Sequence, residues 1–169
     1  MRDLLWSSSS KDQSDRGRGT STGTKEERSR AVKMKIKLPA DVLFHHDLRL
    51  MVWRPCGLLN EKRVKTIVAF LEAAEERADK PFNRFADLSK LAAIDLNFHF
   101  VFHVSLHRRL VYAKHPPVKS AFYVTHPQAA QLVKIHAIMT GHSPLQVAMF
   151  EDLAEAAEWL GVSKESLEY

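Results

Sequence analysis

From residue 32 onward, apolar and polar positions repeat with two different periods, and each period predicts one kind of element. Alternation at every second residue over 32–38 and 48–54 predicts two strands that are each buried on one side. A short strand is predicted over 42–45, joined to the next by a tight turn at His46 and Asp47. The lysines of 32–38 would protect an exposed sheet edge from pairing with other chains.

A period of nearly four residues predicts the helices. Asn60 is predicted to cap a helix that runs to about Asp79, with its apolar residues along one face. The other face is predicted to be solvated and carries Lys65, Glu72, Glu75 and Glu76. Later helices are predicted between Pro127 and Gly141 and between Asp152 and Gly161, because proline suits a helix start and glycine a helix end. Strands are predicted over 118–124 and 145–150.

The stretch 82–97 is predicted to organise the sheet. Its first half, 83–87, reads as a buried central strand, and the chain then turns through Ser89 towards Asp95, which is predicted to open the next helix. In open α/β sheets, ligands and partners bind at the carboxyl edge of the strands. We therefore take the polar residues of this stretch as candidates for partner or ligand binding: Arg84, Asp87, Ser89, Asp95 and Asn97.

The segment 98–112 has two interpretations. Its first half alternates aromatic and polar residues, which favours a strand. Parallel neighbouring strands need a crossover, however, and Asp95 or Asn97 would cap a helix there. We predict a helix. The resulting order of strands and helices predicts an α/β fold with a mixed, largely parallel sheet of about five strands flanked by helices.

Composition limits the domain organisation. The 169 residues are 45% hydrophobic and 27% charged, which suits one globular domain with a tail. The segment 7–30 contains no apolar residue, so 1–31 is predicted to be a disordered polar tail. The α/β domain is predicted over 32–162, and 163–169 is predicted to be a C-terminal extension.

The cysteine count, the apolar runs and the net charge indicate the cellular location and the kind of partner. The single cysteine, Cys56, fits a reducing compartment, and no run of about 18 apolar residues or signal peptide is present, which predicts a cytoplasmic protein without a transmembrane segment. The net charge of +5 is scattered along the chain. Nucleic-acid binders concentrate basic residues on one face, so no nucleic-acid partner is predicted.

Several short motifs resemble the STAS, or SpoIIAA-like, family over roughly residues 32–162. They are Asp87-Leu88-Ser89 after the central strand, Ile94-Asp95 before the next helix, and the segments 147–152 and 156–161. The resemblance implies a mixed sheet flanked by helices that binds other proteins or small anionic or lipid-like ligands. Anti-sigma-factor antagonists of this family carry a phosphorylatable serine after an aspartate at the helix start. This chain has Asp95-Leu96-Asn97-Phe98 there, so the usual phosphoacceptor is missing.

No catalytic motif stands out. The folded part has no Gly-x-Ser-x-Gly, no phosphate-binding Gly-x-x-x-x-Gly-Lys and no Gly-x-Gly-x-x-Gly, so we predict no enzyme and no cofactor. A hydrolase built on Ser89 or Ser105 is the alternative. Asp87 and Ser89 are predicted to satisfy turn amides, and Asp95 to cap a helix.

His99, His103 and His107 are spaced four residues apart and share one face of the predicted helix. Two histidines at this spacing can both bind zinc, and a third could complete the site. No cysteine or carboxylate within the segment completes or orients such a site. We therefore predict a polar helix face and no metal.

Two functions remain. The first is a non-catalytic STAS-like regulatory domain that engages an unidentified protein partner through the carboxyl edge. The alternative is a carrier or sensor of a small apolar or anionic ligand, with the phenylalanine-rich segment 98–102 lining its cavity. The sequence leaves the partner, the ligand and the oligomeric state open.

Overall fold

The computed structural model describes residues 38–168; the expected tail 1–31 and nearly all of the strand predicted over 32–38 lie outside this range. The strands in chain order are β1 (Val42–His45), β2 (Leu50–Trp53), β3 (Gly57–Asn60), β4 (Asn83–Asp87), β5 (Leu91–Asp95), β6 (Val118–Tyr123) and β7 (Leu145–Phe150). The helices are α1 (Glu61–Arg77), α2 (Phe98–Tyr112), α3 (Pro127–Thr140) and α4 (Leu153–Leu160), followed by a short 3₁₀ turn (Lys164–Ser166).

The main sheet has five strands in the order β1-β2-β4-β6-β7. β4 lies at its centre and pairs in parallel with both neighbours, β2 and β6. β7 continues the parallel array, and only β1 is antiparallel to its neighbour. The mixed, largely parallel sheet predicted from the sequence is therefore confirmed, and so is the central place of the 83–87 strand.

A second, two-stranded sheet formed by β3 and β5 was not predicted. β5 covers the residues that were expected to lead into a helix, and its Asp95 lies opposite Asn60 of β3. The prediction that Asp95 opens the helix is therefore wrong. The helix begins at Phe98, because the Asn97 side-chain oxygen accepts the Phe100 N–H at 2.8 Å.

The ambiguous segment 98–112 is helical throughout, as predicted. Its buried residues recur at helical spacing, and they are Phe100, Ser105, Arg108 and Tyr112. The aromatic alternation that favoured a strand belongs to the first turns, where Phe98 is 62% exposed. Burial in this helix is thus decided by its position over the sheet rather than by local alternation.

The two faces of the main sheet are covered differently. α1 and α3 place Ile67, Phe70, Ala129 and Val133 in a large cluster on one face. On the other face, α4 places Ala156, Ala157 and Leu160 against the sheet residues Leu50, Val52, Phe85 and Ala121. Successive residues of β4 point to opposite faces, so Arg84 and Ala86 face one layer and Phe85 the other.

The segment after α4 also packs into the domain. Leu167 is 1% exposed and belongs to the same cluster as α4. The buried Arg54 donates to the carbonyl oxygens of Leu167 and Glu168, at 2.6 and 3.1 Å. The residues expected to form an extension after 162 therefore contribute to the core. Among residues 38–168, no helix is both long enough and apolar enough to span a bilayer.

Candidate ligand-binding site

A partly open cavity of about 150 Å³ lies between the main sheet and the layer formed by α1, α2 and α3. Its walls are mostly apolar, and they include Trp53, Leu59, Ile67, Phe100, Phe122 and Val133. A cavity of about this size, when it has apolar walls, stays dry and can hold a molecule as large as benzene. The cavity is therefore ligand-sized.

The polar residues that line this cavity come from two strands and two helices. They are Arg84 of β4, Ser120 of β6, Ser105 and Arg108 of α2, and His136 of α3. Arg84 and Ser120 are directly paired across the two strands. Ser105 and Arg108 are three residues apart on α2 and so lie on one helix face. We call these five residues the polar end of the cavity.

Arg84 is the buried centre of the polar end, with 4% exposure. One of its Nη atoms donates to Glu75 Oε1 and to the Tyr112 hydroxyl, the latter at 2.6 Å. Burial lowers the pKa of Arg84, while the charge of Glu75 acts in the opposite direction. A guanidinium keeps its proton even when it is buried, so Arg84 brings a positive charge into the interior.

Glu75 is the buried counter-ion, and the prediction that it faces solvent is wrong. Its side chain is only 5% exposed, and its Oε1 accepts from both Arg84 and Arg108, the latter at 2.8 Å. The physical reason is visible in the helix period: Glu75 follows Leu71 by four residues and so lies on the apolar stripe of α1. A charge on that stripe needs buried partners.

A second carboxylate reaches the cluster only from its rim. Glu72 Oε1 lies 2.7 Å from His107 Nε2 and 3.5 Å from Arg108 Nη1. The Glu72 side chain is 30% exposed, whereas that of Arg108 is 3% exposed. Water therefore screens Glu72 much more than it screens Glu75.

Tyr112 contacts both arginines of the cluster. Both guanidinium groups stack over its ring, Arg84 at 4.8 Å and Arg108 at 5.2 Å from the centroid. Such contacts stabilise cations against an aromatic face. Burial raises the pKa of Tyr112, so its hydroxyl stays neutral.

Ser105 and His136 form the one pair at the polar end that resembles a nucleophile and its base. Ser105 Oγ lies 2.8 Å from His136 Nδ1 and donates to the Val101 carbonyl at 2.7 Å. A carbonyl can only accept, so the imidazole Nδ1–H must donate to the serine oxygen. Burial, with added repulsion from Arg108 and Arg84, lowers the pKa of His136 to about 4. This histidine is a hydrogen-bond donor to the serine and a poor general base.

Two buried polar atoms of the cluster have no hydrogen-bond partner within the described part of the chain. They are Arg84 Nε, a donor, and Glu75 Oε2, an acceptor. Buried polar groups in proteins are usually paired with protein, water or ligand, and an unpaired one costs about 1–3 kcal/mol. Arg84 also lines the cavity, so its free donor marks the polar end as incomplete.

The residues predicted for the carboxyl edge are divided among three places. Asp87 Oδ1 accepts from both the N–H and the Oγ of Ser89, at 2.9 and 2.6 Å, so these two satisfy each other as expected. Asp95 and Asn97 share a separate surface depression with Asn60. Arg84, the second residue of β4, lies towards the other end of the strand and does not join either pair.

The predicted histidine stripe is also divided. His99 and His103 meet with their Nε2 atoms 3.0 Å apart, whereas His107 is paired with Glu72. Among the described residues, no group of three metal-binding side chains comes together. The carboxylate that was missing from the segment itself is supplied by α1, but it contacts only His107.

The fold and this cavity together define an α/β domain with an internal, ligand-sized cavity that carries buried charge at one end. Neither the protein-family models nor the curated proteins contain a match to the chain. Among solved structures, the chain is similar to an uncharacterized protein of the DUF3478 family with a SpoIIAA-like fold, from Shewanella loihica PV-4. The identity is 18%, the match covers 70% of this chain and 90% of that one, and the TM-score is 0.47. That description names the fold family whose resemblance was noted in the sequence.

Proposed function

We propose that this protein is a non-catalytic α/β domain that binds a small apolar ligand inside its fold, as a carrier or a sensor. The proposal is carried by one observation, the cavity of about 150 Å³ between the sheet and the layer of α1, α2 and α3. A ligand that fills it would gain dispersion contacts with the apolar walls.

The same proposal gives the parts of the chain their roles. Residues 32–162 would form the STAS-like ligand-binding domain and 1–31 a polar tail, with Leu167 and Glu168 of the C-terminal segment packed onto the domain. A cytoplasmic, regulatory role fits the single cysteine and the missing phosphoacceptor serine. A ligand in the cavity would replace phosphorylation as the signal that such a domain senses.

The polar end supports binding rather than catalysis. The Ser105 proton is committed to the Val101 carbonyl, so it is directed away from His136. The low pKa of His136 makes it a weak acceptor for a proton at neutral pH. A nucleophile needs a base that accepts its proton, whereas here the imidazole N–H donates to the serine oxygen.

The test is native mass spectrometry of the full chain purified from cells, followed by thermal melting with toluene added. We expect a bound small molecule of fixed mass, or a melting temperature that rises with toluene concentration. Val133→Phe, which fills the cavity from α3, should abolish both effects while keeping the circular dichroism spectrum. A chain with no bound molecule and no response to toluene would contradict ligand binding.

We propose partner binding at the carboxyl edge as a second candidate, because an exposed aromatic side chain, Phe98, lies there. Phe98 is 62% exposed and stacks on Phe102 with ring centroids 6.2 Å apart. Exposed aromatic residues beside polar groups are typical of interaction hot spots. Asp95 and Asn97 supply the polar groups next to Phe98.

Two substitutions test this surface, Asp95→Lys and Phe98→Ala. Each should abolish retention of a specific partner in a pulldown while leaving the circular dichroism spectrum intact. Ile138→Ala is the matched control, because Ile138 is 77% exposed on α3 and lies outside the depression. Retention of every partner by both variants would argue against an interaction surface at this edge.

A further inference from the structure

We propose that the ligand is a small carboxylate with a compact apolar body, about the size of benzoate, whose carboxylate binds Arg84 and Arg108. The inference rests on the proposed ligand binding and adds the chemical class. Four features of the cavity carry it: the charge of its lining, the balance of buried charge, the unpaired donor of Arg84, and the size of the space.

The lining carries charge of one sign. Among the described residues that line the cavity, the charged ones are Arg84 and Arg108, and no aspartate or glutamate is among them. Their partners Glu75 and Glu72 project from α1 and lie outside the lining. A molecule inside the cavity therefore meets two guanidinium groups and no carboxylate, which favours an anion and disfavours a cation.

The buried charges do not balance. Glu75 shares a single oxygen between two guanidinium groups whose residues are 4% and 3% exposed. Glu72 is partly exposed, is engaged by His107, and reaches Arg108 only at 3.5 Å. His136 adds no positive charge, because its depressed pKa keeps the imidazole neutral. The two buried guanidinium groups thus share one fully buried carboxylate, with Glu72 screening Arg108 only from the rim, and a second buried anion would complete their compensation.

The unpaired donor belongs to a residue that lines the cavity. Arg84 Nε is buried without a partner in the described chain, and Arg84 lines the cavity. A carboxylate oxygen accepts such a donor with a charge-assisted bond, and guanidinium matches carboxylate in shape. The unpaired Glu75 Oε2 belongs to a residue outside the lining, so it does not face the ligand.

The size and the polarity of the cavity determine how large the apolar body of the ligand can be. The polar residues lie at one end of the cavity. Trp53, another lining residue, pairs with Ala86, which is two residues beyond Arg84 along β4. That step is about 7 Å, roughly the length of a benzene ring with one substituent. The volume suits one ring or a short branched chain, and it excludes a long-chain lipid.

Isothermal titration calorimetry on the full chain tests the class with four probes: benzoate, benzyl alcohol, benzamidine and palmitate. We expect benzoate to bind at least about tenfold more tightly than benzyl alcohol, because a charge-assisted hydrogen bond replaces a neutral one. Benzamidine, a cation, and palmitate, which is too long, should not bind. This ranking is measured on the unmodified chain and needs no variant.

Variants then locate the carboxylate. Arg84→Met should weaken benzoate by about tenfold or more and leave benzyl alcohol nearly unchanged. Arg109→Met is the matched control, because Arg109 is exposed on the same helix as Arg108 and reaches only the Met139 carbonyl. Should Arg84→Met not fold, Arg84→Lys, which keeps the charge but loses Nε, should still weaken benzoate selectively.

The outcomes separate the two proposals. Benzyl alcohol binding as tightly as benzoate, or palmitate binding best, would overturn the carboxylate class and leave ligand binding standing, with water completing the polar end. Equal loss of benzoate in Arg84→Met and Arg109→Met would also overturn it. Failure of every probe, together with no response to toluene, would instead remove the proposed function itself.

Discussion

The two faces of the central strand are packed in different ways. On the α4 side, Phe85 is fully buried against small residues of β6 and α4, Ala121, Ala156 and Ala157. On the other side, the neighbouring Arg84 meets a charged cluster and a cavity. Close packing of large against small residues leaves no room for a ligand, whereas buried charge and space on the opposite face provide it.

The difference in packing between the two faces predicts where the domain tolerates substitutions. Both faces carry apolar clusters, but on the cavity face part of the space is empty and forfeits dispersion contacts, and the buried ion pairs there contribute little net energy. Substitutions on the two faces should therefore have different consequences for stability and binding. The following predictions test that difference.

The largest effect is expected for Phe85→Ala on the packed face. Removing a fully buried aromatic ring should lower the free energy of unfolding by about 3–5 kcal/mol. Phe122→Ala on the cavity face is the comparison, and it should cost about 2 kcal/mol because its ring is only partly buried and already borders empty space. Urea unfolding measures both. Equal losses would mean that the two faces are packed alike.

A somewhat smaller effect is expected for Glu75→Gln. The substitution leaves two buried guanidinium groups without their counter-ion and should cost about 3 kcal/mol. Glu76→Gln, next to it on the exposed face of α1, should change stability by less than about 0.5 kcal/mol. A neutral result for Glu75→Gln would show that Glu75 is solvated, as its sequence neighbours suggest.

A pH effect is expected from His136 on the cavity face. Its pKa is lowered from 6.5 to about 4 in the folded chain, so the unfolded chain binds a proton first as the pH falls. The stability that its neutral form contributes is complete above pH 6.5 and is lost progressively towards pH 4, by about 2 kcal/mol after allowance for partial exposure.

The measurement is urea unfolding at a series of pH values between these limits. His136→Gln should flatten the dependence, whereas His103→Gln, at an exposed position of α2, should leave it as in the parent chain. A parent chain whose stability stays constant over this range would place the imidazole in solvent.

The smallest effect, none, is expected for zinc. His99 and His103 form a pair on the exposed side of α2, and no third ligand joins them among the described residues. Stoichiometric zinc should leave the melting temperature unchanged. A rise of several degrees that disappears in His103→Ala would show a metal site on this surface.

Sequence patterns predicted the main sheet because its strands show regular apolar patterns. The parallel core and the helix over 98–112 followed from the need for crossovers between parallel strands. β3 and β5 were missed although they are no shorter than β1 and β4, respectively, because β5 contains two alanines that suit a helix equally well and β3 leads directly into the cap of α1. Their pairing depends on residues far apart in the chain, which no local pattern reveals.

The candidate site was predicted only in part. Arg84 was chosen, but it was assigned to the carboxyl edge together with the whole stretch 82–97, whereas it lies near the amino end of β4. Glu75 was not recognised as a site residue, although it falls on the buried stripe of its helix, where a charge calls for a partner. Arg108 likewise lies on the buried stripe of α2. Opposite charges on buried stripes of two helices were the available signal. No sequence signal predicted the cavity itself, because empty space is a property of three-dimensional packing.

The anchoring of Leu167 has a practical consequence for anyone who trims this chain. The family resemblance suggests a cut after about residue 162, which would delete a side chain that is 1% exposed and strip Arg54 of two carbonyl acceptors. A C-terminal boundary beyond Glu168 keeps these contacts, and a purification tag placed there needs a spacer long enough to leave them undisturbed.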